Sequence, residues 1–295
     1  MKVYKVYKLS NFTNLLSSMA NDYFQFKQFT IRQEKCAMKV GTDGVLLGSW
    51  ADLTHARRLL DIGTGTGLMA IMAAQRNLEL IIDAIEIDPA AFEQARENAN
   101  NSPWRERIHL FQGEVQAFTP TYKYDIIICN PPFFINSTKN PELNRTLARH
   151  CETLSHEDIL QVSDNLLLPG GKLCVILPVN EAKHFIELTQ GKKWFVNKLS
   201  TVYPTPDKAP KRQLIELSKV KKHLVEDSII LEIERHTLHE SYANLTRDFY
   251  LKLCFPKFYL VPHLHQDLNL LTEKINDLLT IEYGNTPYLC KVENR

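Results

Sequence analysis

Two hydrophobic periods alternate along the chain from about residue 57 to 180. The runs RLLDI (58–62), LIIDAIE (80–86), IHL (108–110), YDIIIC (124–129) and KLCVIL (172–177) are mostly apolar on successive positions. Such runs read as strands covered on both faces, because a solvated face would show a polar residue at every second place. Between them, Leu68 to Arg76, Pro89 to Asn98 and Ser155 to Leu168 carry helical spacing. Three boundaries are marked: Asp88 before Pro89 suits an N-cap and N1 pair, Ser155 with Asp158 suits a capping box, and Pro169-Gly170-Gly171 suits a stop. Strands alternating with helices predict βαβ units in a doubly wound, mostly parallel α/β sheet. Beyond residue 195 the runs Phe195 to Val202, Gln213 to Ser218 and Ile229 to Glu234 follow one another without long helices, which predicts an antiparallel C-terminal edge.

Composition adds limits. With 295 residues of which 44% are apolar, the chain can bury a substantial core, and a formal net charge of +1 means any polyanion must be met by a local patch. The six cysteines are scattered without a CxxC pair, as in a cytoplasmic protein with reduced thiols. No apolar run approaches the ~20 residues that span a bilayer. Residues 1–21 read as a leader of uncertain order with Met19 a candidate start, 22–253 as the main domain, and 254–295 as an extension. In that extension Leu268, Leu271, Ile275, Leu278 and Leu279 mark one face of an amphipathic helix.

Candidate chemistry gathers at the carboxyl ends of the predicted strands, where open α/β sheets bind ligands. After the first comes DIGTGTG, Asp61 to Gly67, in which Gly63, Gly65 and Gly67 permit a tight turn and close backbone approach. The dinucleotide pattern GxGxxG is not met, because Leu68 stands where its third glycine belongs. Asp61 beside the loop would repel phosphate and suits a cationic or zwitterionic ligand. After the second strand Glu86 is placed to grip ribose hydroxyls, while Asp88 reads better as a helix N-cap. After the third, Glu114 could accept from an adenine amine or be a solvated turn residue. After the fourth, Asn130-Pro131-Pro132-Phe133 ends the strand on an amide acceptor, stiffens the chain and offers a flat ring, a set that fits a planar group bearing an amine.

In this order the motifs resemble those of class I S-adenosylmethionine-dependent methyltransferases with the NPPF signature of amino-group acceptors. The resemblance implies a seven-stranded Rossmann-like sheet, S-adenosylmethionine as cofactor, and catalysis by Asn130, Pro131 and Phe133. Over about residues 22 to 253, the strings FQFKQFT (24–30), CAMKVGTDGVLL (36–47), NSPW (101–104) and ARH (148–150) make the chain similar to the bacterial tRNA adenine-N6 methyltransferases, which modify the adenosine 3′ of the anticodon in a valine tRNA. By that resemblance Thr42 and Asp43 lie against the methionine end of the cofactor, and Lys39 touches the same carboxylate or the RNA, unless it is simply solvated. Phe133 stands where many relatives carry Tyr, so the ring is kept and the hydroxyl lost.

For tRNA as partner, Lys208, Lys211 and Arg212 in a proline-stiffened loop, Lys219, Lys221 and Lys222 one strand later, and Arg145 and Arg149 beyond the catalytic turn are the candidate phosphate contacts. No metal is expected, since neither His263 with His265 nor His236 with His239 has partners at ligand spacing. Cys129 reads as a core thiol. The oligomeric state stays open, a monomer being the simpler reading. Alternatives are methylation of a release-factor glutamine amide, methylation of adenine in rRNA or DNA, and an RNA-binding module with a vestigial cofactor fold.

Overall fold

The structure, a computed structural model, describes residues 22–131, 154–235 and 237–251. A hairpin of β1 (Tyr23–Gln25) and β2 (Thr30–Arg32) leads into helix α1 (Thr42–Trp50). The first half then runs β3 (Arg58–Ile62), α2 (Leu68–Arg76), β4 (Ile81–Glu86), α3 (Pro89–Asn100), β5 (Ile108–Gln112) and β6 (Tyr124–Cys129). The second half runs α4 (His156–Leu166), β7 (Leu167–Pro178), α5 (Val179–Glu187), β8 (Phe195–Tyr203), β9 (Arg212–Ser218) and β10 (Val225–Ile230). It closes with the small pair β11 (Glu232–Glu234) and β12 (Thr237–Leu238) and helix α6 (Glu240–Thr246). The leader and the 254–295 extension lie outside the described residues.

Eight strands form one sheet in the order β10-β8-β9-β7-β6-β3-β4-β5. Only β9 runs against the rest, pairing antiparallel with both β7 and β8. The expected seven-stranded, mostly parallel sheet is therefore present with an eighth strand added. Its antiparallel part is confined to β9, because β10 pairs parallel with β8 and not as a further antiparallel strand. On β6, Ile126 and Ile128 face one core and Ile127 and Cys129 the other, all at most 1% exposed. Burying each isoleucine contributes roughly 1.5–3 kcal/mol, which explains an apolar run without alternation.

Predicted caps appear as expected: Asp88 accepts from the Ala91 N–H, and Ser155 with Asp158 forms a reciprocal capping box. The helix expected to reach Leu168 stops at Leu166, and Pro169-Gly170-Gly171 falls inside β7. Gly171 is favoured there by crowding, since a Cβ would lie 3.0 Å from the Leu168 carbonyl and 3.1 Å from that of Tyr124. Three helices, α1, α5 and α6, escaped the sequence pattern. Helix α1 is buried from Gly44 to Trp50, so it shows no polar stripe, and at Gly48 a Cβ would come within 2.9 Å of Met72 Sδ on α2. Helix α5 is short and buries only Ala182 and Phe185.

Candidate functional site

Strand register assembles the site. Ile62 pairs with both Ile85 and Cys129, and Glu86 pairs with Gln112. The residues that follow, Gly63, Glu86, Glu114 and Asn130, therefore stand along one carboxyl edge.

The glycine loop is held by the neighbouring strand. Gly63 and Thr64 donate their N–H groups to the Ile85 carbonyl at 2.9 and 3.1 Å, and Gly65 N–H donates to Glu86 Oε2 at 2.8 Å. Gly63, Gly65 and Gly67 have φ of 67°, 57° and 80°, a region costly to residues with a Cβ. Nothing stands within 4 Å of where a Cβ would be at Gly63 or Gly65, so the loop backbone faces open space. Glu86, expected at the ribose, is buried and also takes the Asp88 N–H on Oε1 at 3.0 Å. It thus shapes the loop as well as marking the strand end. Asp61 lies beneath, fully buried, with Oδ2 accepting from the Thr64 hydroxyl at 2.7 Å. Its Oδ1 has no hydrogen-bond partner among the described residues. Burial pushes its carboxyl up to about 7 despite the Thr64 bond, and the charge of Glu86 adds to the rise. Glu114 is exposed and opens a short 3₁₀ turn at Val115–Ala117.

Buried amides fix the segment that walls this loop, and sequence reasoning missed them. Asn98 accepts from Arg32 N–H and donates to the Arg32 and Thr66 carbonyls at 2.8 Å each. Gln94, one turn earlier on α3, accepts from Lys35 N–H at 3.0 Å. Two amides at i and i+4 on an otherwise alanine-rich buried face were the available signal. Gln33 Oε1 accepts from Val40 N–H at 2.8 Å and closes the loop carrying Met38 and Lys39. Burial, reinforced by the charges of Glu86, Asp88 and Glu34, pushes the Cys36 thiol up to about 12. Cys129 is likewise pushed upward by burial, as fits an inert core thiol.

The cleft in front of the loop measures about 320 Å³ and is lined by residues 38–44, Gly63 to Thr66, Asn130 and Arg212 among others. It brings together Lys39, Thr42, Asp43, Gly63, Gly65 and Asn130. Asn130 Oδ1 is buried without a hydrogen-bond partner among the described residues, and Pro131 beside it is buried. Arg212, expected in a proline-stiffened loop as a phosphate contact, is the first residue of β9, and its Nε donates to Asp43 Oδ2 at 2.8 Å. Because β9 is reversed, its start and the exposed Lys208 and Lys211 sit at the carboxyl edge. Lys219, Lys221 and Lys222 follow its other end, so the reversal that gathers the first group removes the second from the site. Phe133, Arg145, Arg149 and His236 lie outside the described residues, and His239 caps α6.

A sheet with this order, a glycine loop after its central strand and an acceptor amide beside it define a methyltransferase. The Methyltransferase small domain family matches residues 38–190, and the chain belongs to it. The fold also matches a predicted O-methyltransferase from Agrobacterium tumefaciens, with a TM-score of 0.56 at 19% identity over 70% of this chain and 96% of that one. More narrowly, the chain is 47% identical over 238 residues to the tRNA1(Val) (adenine(37)-N6)-methyltransferase of Parabacteroides distasonis, covering 80% of this chain and 100% of the relative. The protein of that name from Trichodesmium erythraeum is 45% identical, covering 79% and 100%. The chain belongs to that family.

Proposed function

We propose that this protein transfers a methyl group from S-adenosylmethionine to N6 of an adenosine in tRNA, at position 37 beside the anticodon of a valine tRNA. The observation that carries the reading is the buried Asn130 Oδ1, which has no hydrogen-bond partner among the described residues and lies in the same cleft as the glycine loop. A buried acceptor left unsatisfied costs about 1–3 kcal/mol, and a substrate amine removes that cost.

The residues present fit the cofactor. Gly63, Gly65 and Gly67 allow backbone contact, and Asp61, Thr42 and Asp43 suit its cationic methionine end. Glu86 suits the ribose: a carboxylate has about four acceptor positions, and two are taken by N–H groups. Glu114 suits the adenine amine. When bound, the cofactor supplies an activated methyl group.

The chain's own work is at the acceptor. An exocyclic amine on a purine shares its lone pair with the ring and is a poor nucleophile. Asn130 Oδ1 and the Pro131 carbonyl each accept one of its N–H bonds, which favours a pyramidal nitrogen with its lone pair directed outward. The rigid Pro131-Pro132 unit holds both oxygens, so catalysis rests on positioning and polarisation rather than on a strong base. Phe133 stacks on the base, worth roughly 1–3 kcal/mol. Lys39, Lys208, Lys211, Arg212, Arg145 and Arg149 serve the RNA phosphates, and the protein works as a cytoplasmic enzyme.

The test is incubation with labelled S-adenosylmethionine and either tRNA or a translation release factor. Label as N6-methyladenosine in nucleoside digests is the expected result. Label in the protein, or none, refutes the reading.

A further inference from the structure

The Asp43–Arg212 ion pair joins the helix that walls the cofactor cleft to the strand that carries the basic rim. Its two side chains are 21% and 25% exposed and it lines the cleft shared with Asn130. Register fixes Arg212 at the carboxyl edge, opposite Pro178 on β7 and Val202 on β8. Asn130 follows β6, and β7 alone lies between β6 and β9. Two strand spacings of about 4.8 Å across the sheet and an offset of two residues along it, about 3.4 Å each, separate the two positions by roughly 12 Å. That is of the order of the span from the exocyclic amine of a nucleotide to its own 5′-phosphate.

We propose that Arg212, held in place by Asp43, binds the phosphodiester 5′ to the acceptor adenosine and so selects a nucleotide over an amide side chain. The inference rests on the tRNA reading above. A base must leave its stack to reach a cleft of this kind, and the flipped nucleotide then carries its own phosphate to the rim. The guanidinium fork suits that oxygen pair, which a lysine would meet only as a point charge. Asp43 is the positioning residue: it fixes Nε, and with the Nη1 bond to the Lys211 carbonyl at 3.0 Å it sets the plane of the fork. A glutamine substrate would bring no anion to this place.

The experiment is binding of a valine tRNA transcript to wild type, Arg212→Gln, Arg212→Lys and Asp43→Asn across a salt series, with S-adenosylhomocysteine affinity measured in parallel. Arg212→Gln should weaken tRNA binding about 10- to 100-fold. It should also make the slope of log K against log salt shallower by about 0.7, the signature of one lost phosphate contact. Arg212→Lys should restore the slope but not the full affinity, Asp43→Asn should weaken RNA binding less than Arg212→Gln, and S-adenosylhomocysteine should be affected less than RNA by the Arg212 changes. An unchanged slope in Arg212→Gln overturns the inference, as does a loss of S-adenosylhomocysteine affinity equal to that of RNA. Methyl transfer to tRNA by the wild type, followed alongside, separates the two levels: its absence refutes the parent reading, and its presence with an unchanged slope refutes only this one.

Discussion

The two edges of the sheet treat charge in opposite ways. At the amino edge several charged groups are matched: Arg107 donates to the carbonyls of Ala74, Asn77 and Leu80, Lys172 bridges Asp52 and Glu216, and Asp125 accepts from the Arg57 and Arg58 N–H groups. At the carboxyl edge Asp61 Oδ1 and Asn130 Oδ1 are buried with no partner among the described residues. Neutral oxygens of Ser49, Gln75 and Ser163 share that lack, but only Asn130 among these lines the cleft, and Asp61 alone is a carboxylate. One edge closes the fold, and the other keeps acceptors in reserve for ligands.

The strongest way to break this contrast is Asn130→Ala. It removes an acceptor needed as the nitrogen becomes nucleophilic, so single-turnover methyl transfer should fall by roughly 10²–10³ or more. S-adenosylhomocysteine affinity, read by calorimetry, should stay near that of the wild type. Near-normal transfer in Asn130→Ala would remove Asn130 from catalysis.

The same contrast explains what the sequence made legible. The carboxyl edge could be read because each strand there ends on a local motif: glycines that need positive φ, an acid, an asparagine before two prolines. Helix α1 could not, because burial on almost every side erases the 3.6-residue stripe that identifies a helix. Asn98 and Gln94 have the look of ordinary polar helix positions, since the backbone groups they satisfy lie 32 to 66 residues away. Arg212 was read as one of a loop cluster for lack of any sequence signal that β9 reverses and sets it beside Asp43.

A smaller effect tests Asp61. Its carboxyl lies near 7 in the folded protein against an ordinary value of 3.8, so between those limits the native state holds a proton that the unfolded chain has lost. The contribution of Asp61 to stability is therefore full below about pH 4, falls as pH rises, and levels off above about pH 7. Within that window the loss is at most roughly 1.4 kcal/mol per pH unit. Asp61→Asn should flatten this part of the pH profile of urea midpoints, gaining on the wild type from about pH 4 to about pH 7. Parallel profiles for the two proteins would show that Asp61 is ionised throughout. The same variant should bind S-adenosylhomocysteine less well, as no amino-edge carboxylate would.

The smallest effects come from exposed lysines, and here the comparison is between like residues. Lys208 and Lys211 precede β9 and Lys219 and Lys222 follow it, about 20 Å apart at ~3.4 Å per residue of strand. That is twice the ~8–10 Å over which salt screens a charge. Lys219 is moreover committed locally: it pairs with Asp164 at 2.8 Å, donates to the Lys192 carbonyl, and lies 4.6 Å from the Trp194 ring centroid. Changing Lys208 and Lys211 together to Gln should weaken tRNA binding several-fold and make the salt slope shallower by up to about 1.4, two single-strand contacts. Changing Lys219 and Lys222 together to Gln should leave tRNA affinity unchanged and cost no more than about 1 kcal/mol of stability. If the second pair weakened tRNA binding as much as the first, the RNA would have to reach both edges, and a site confined to the carboxyl edge could not account for it.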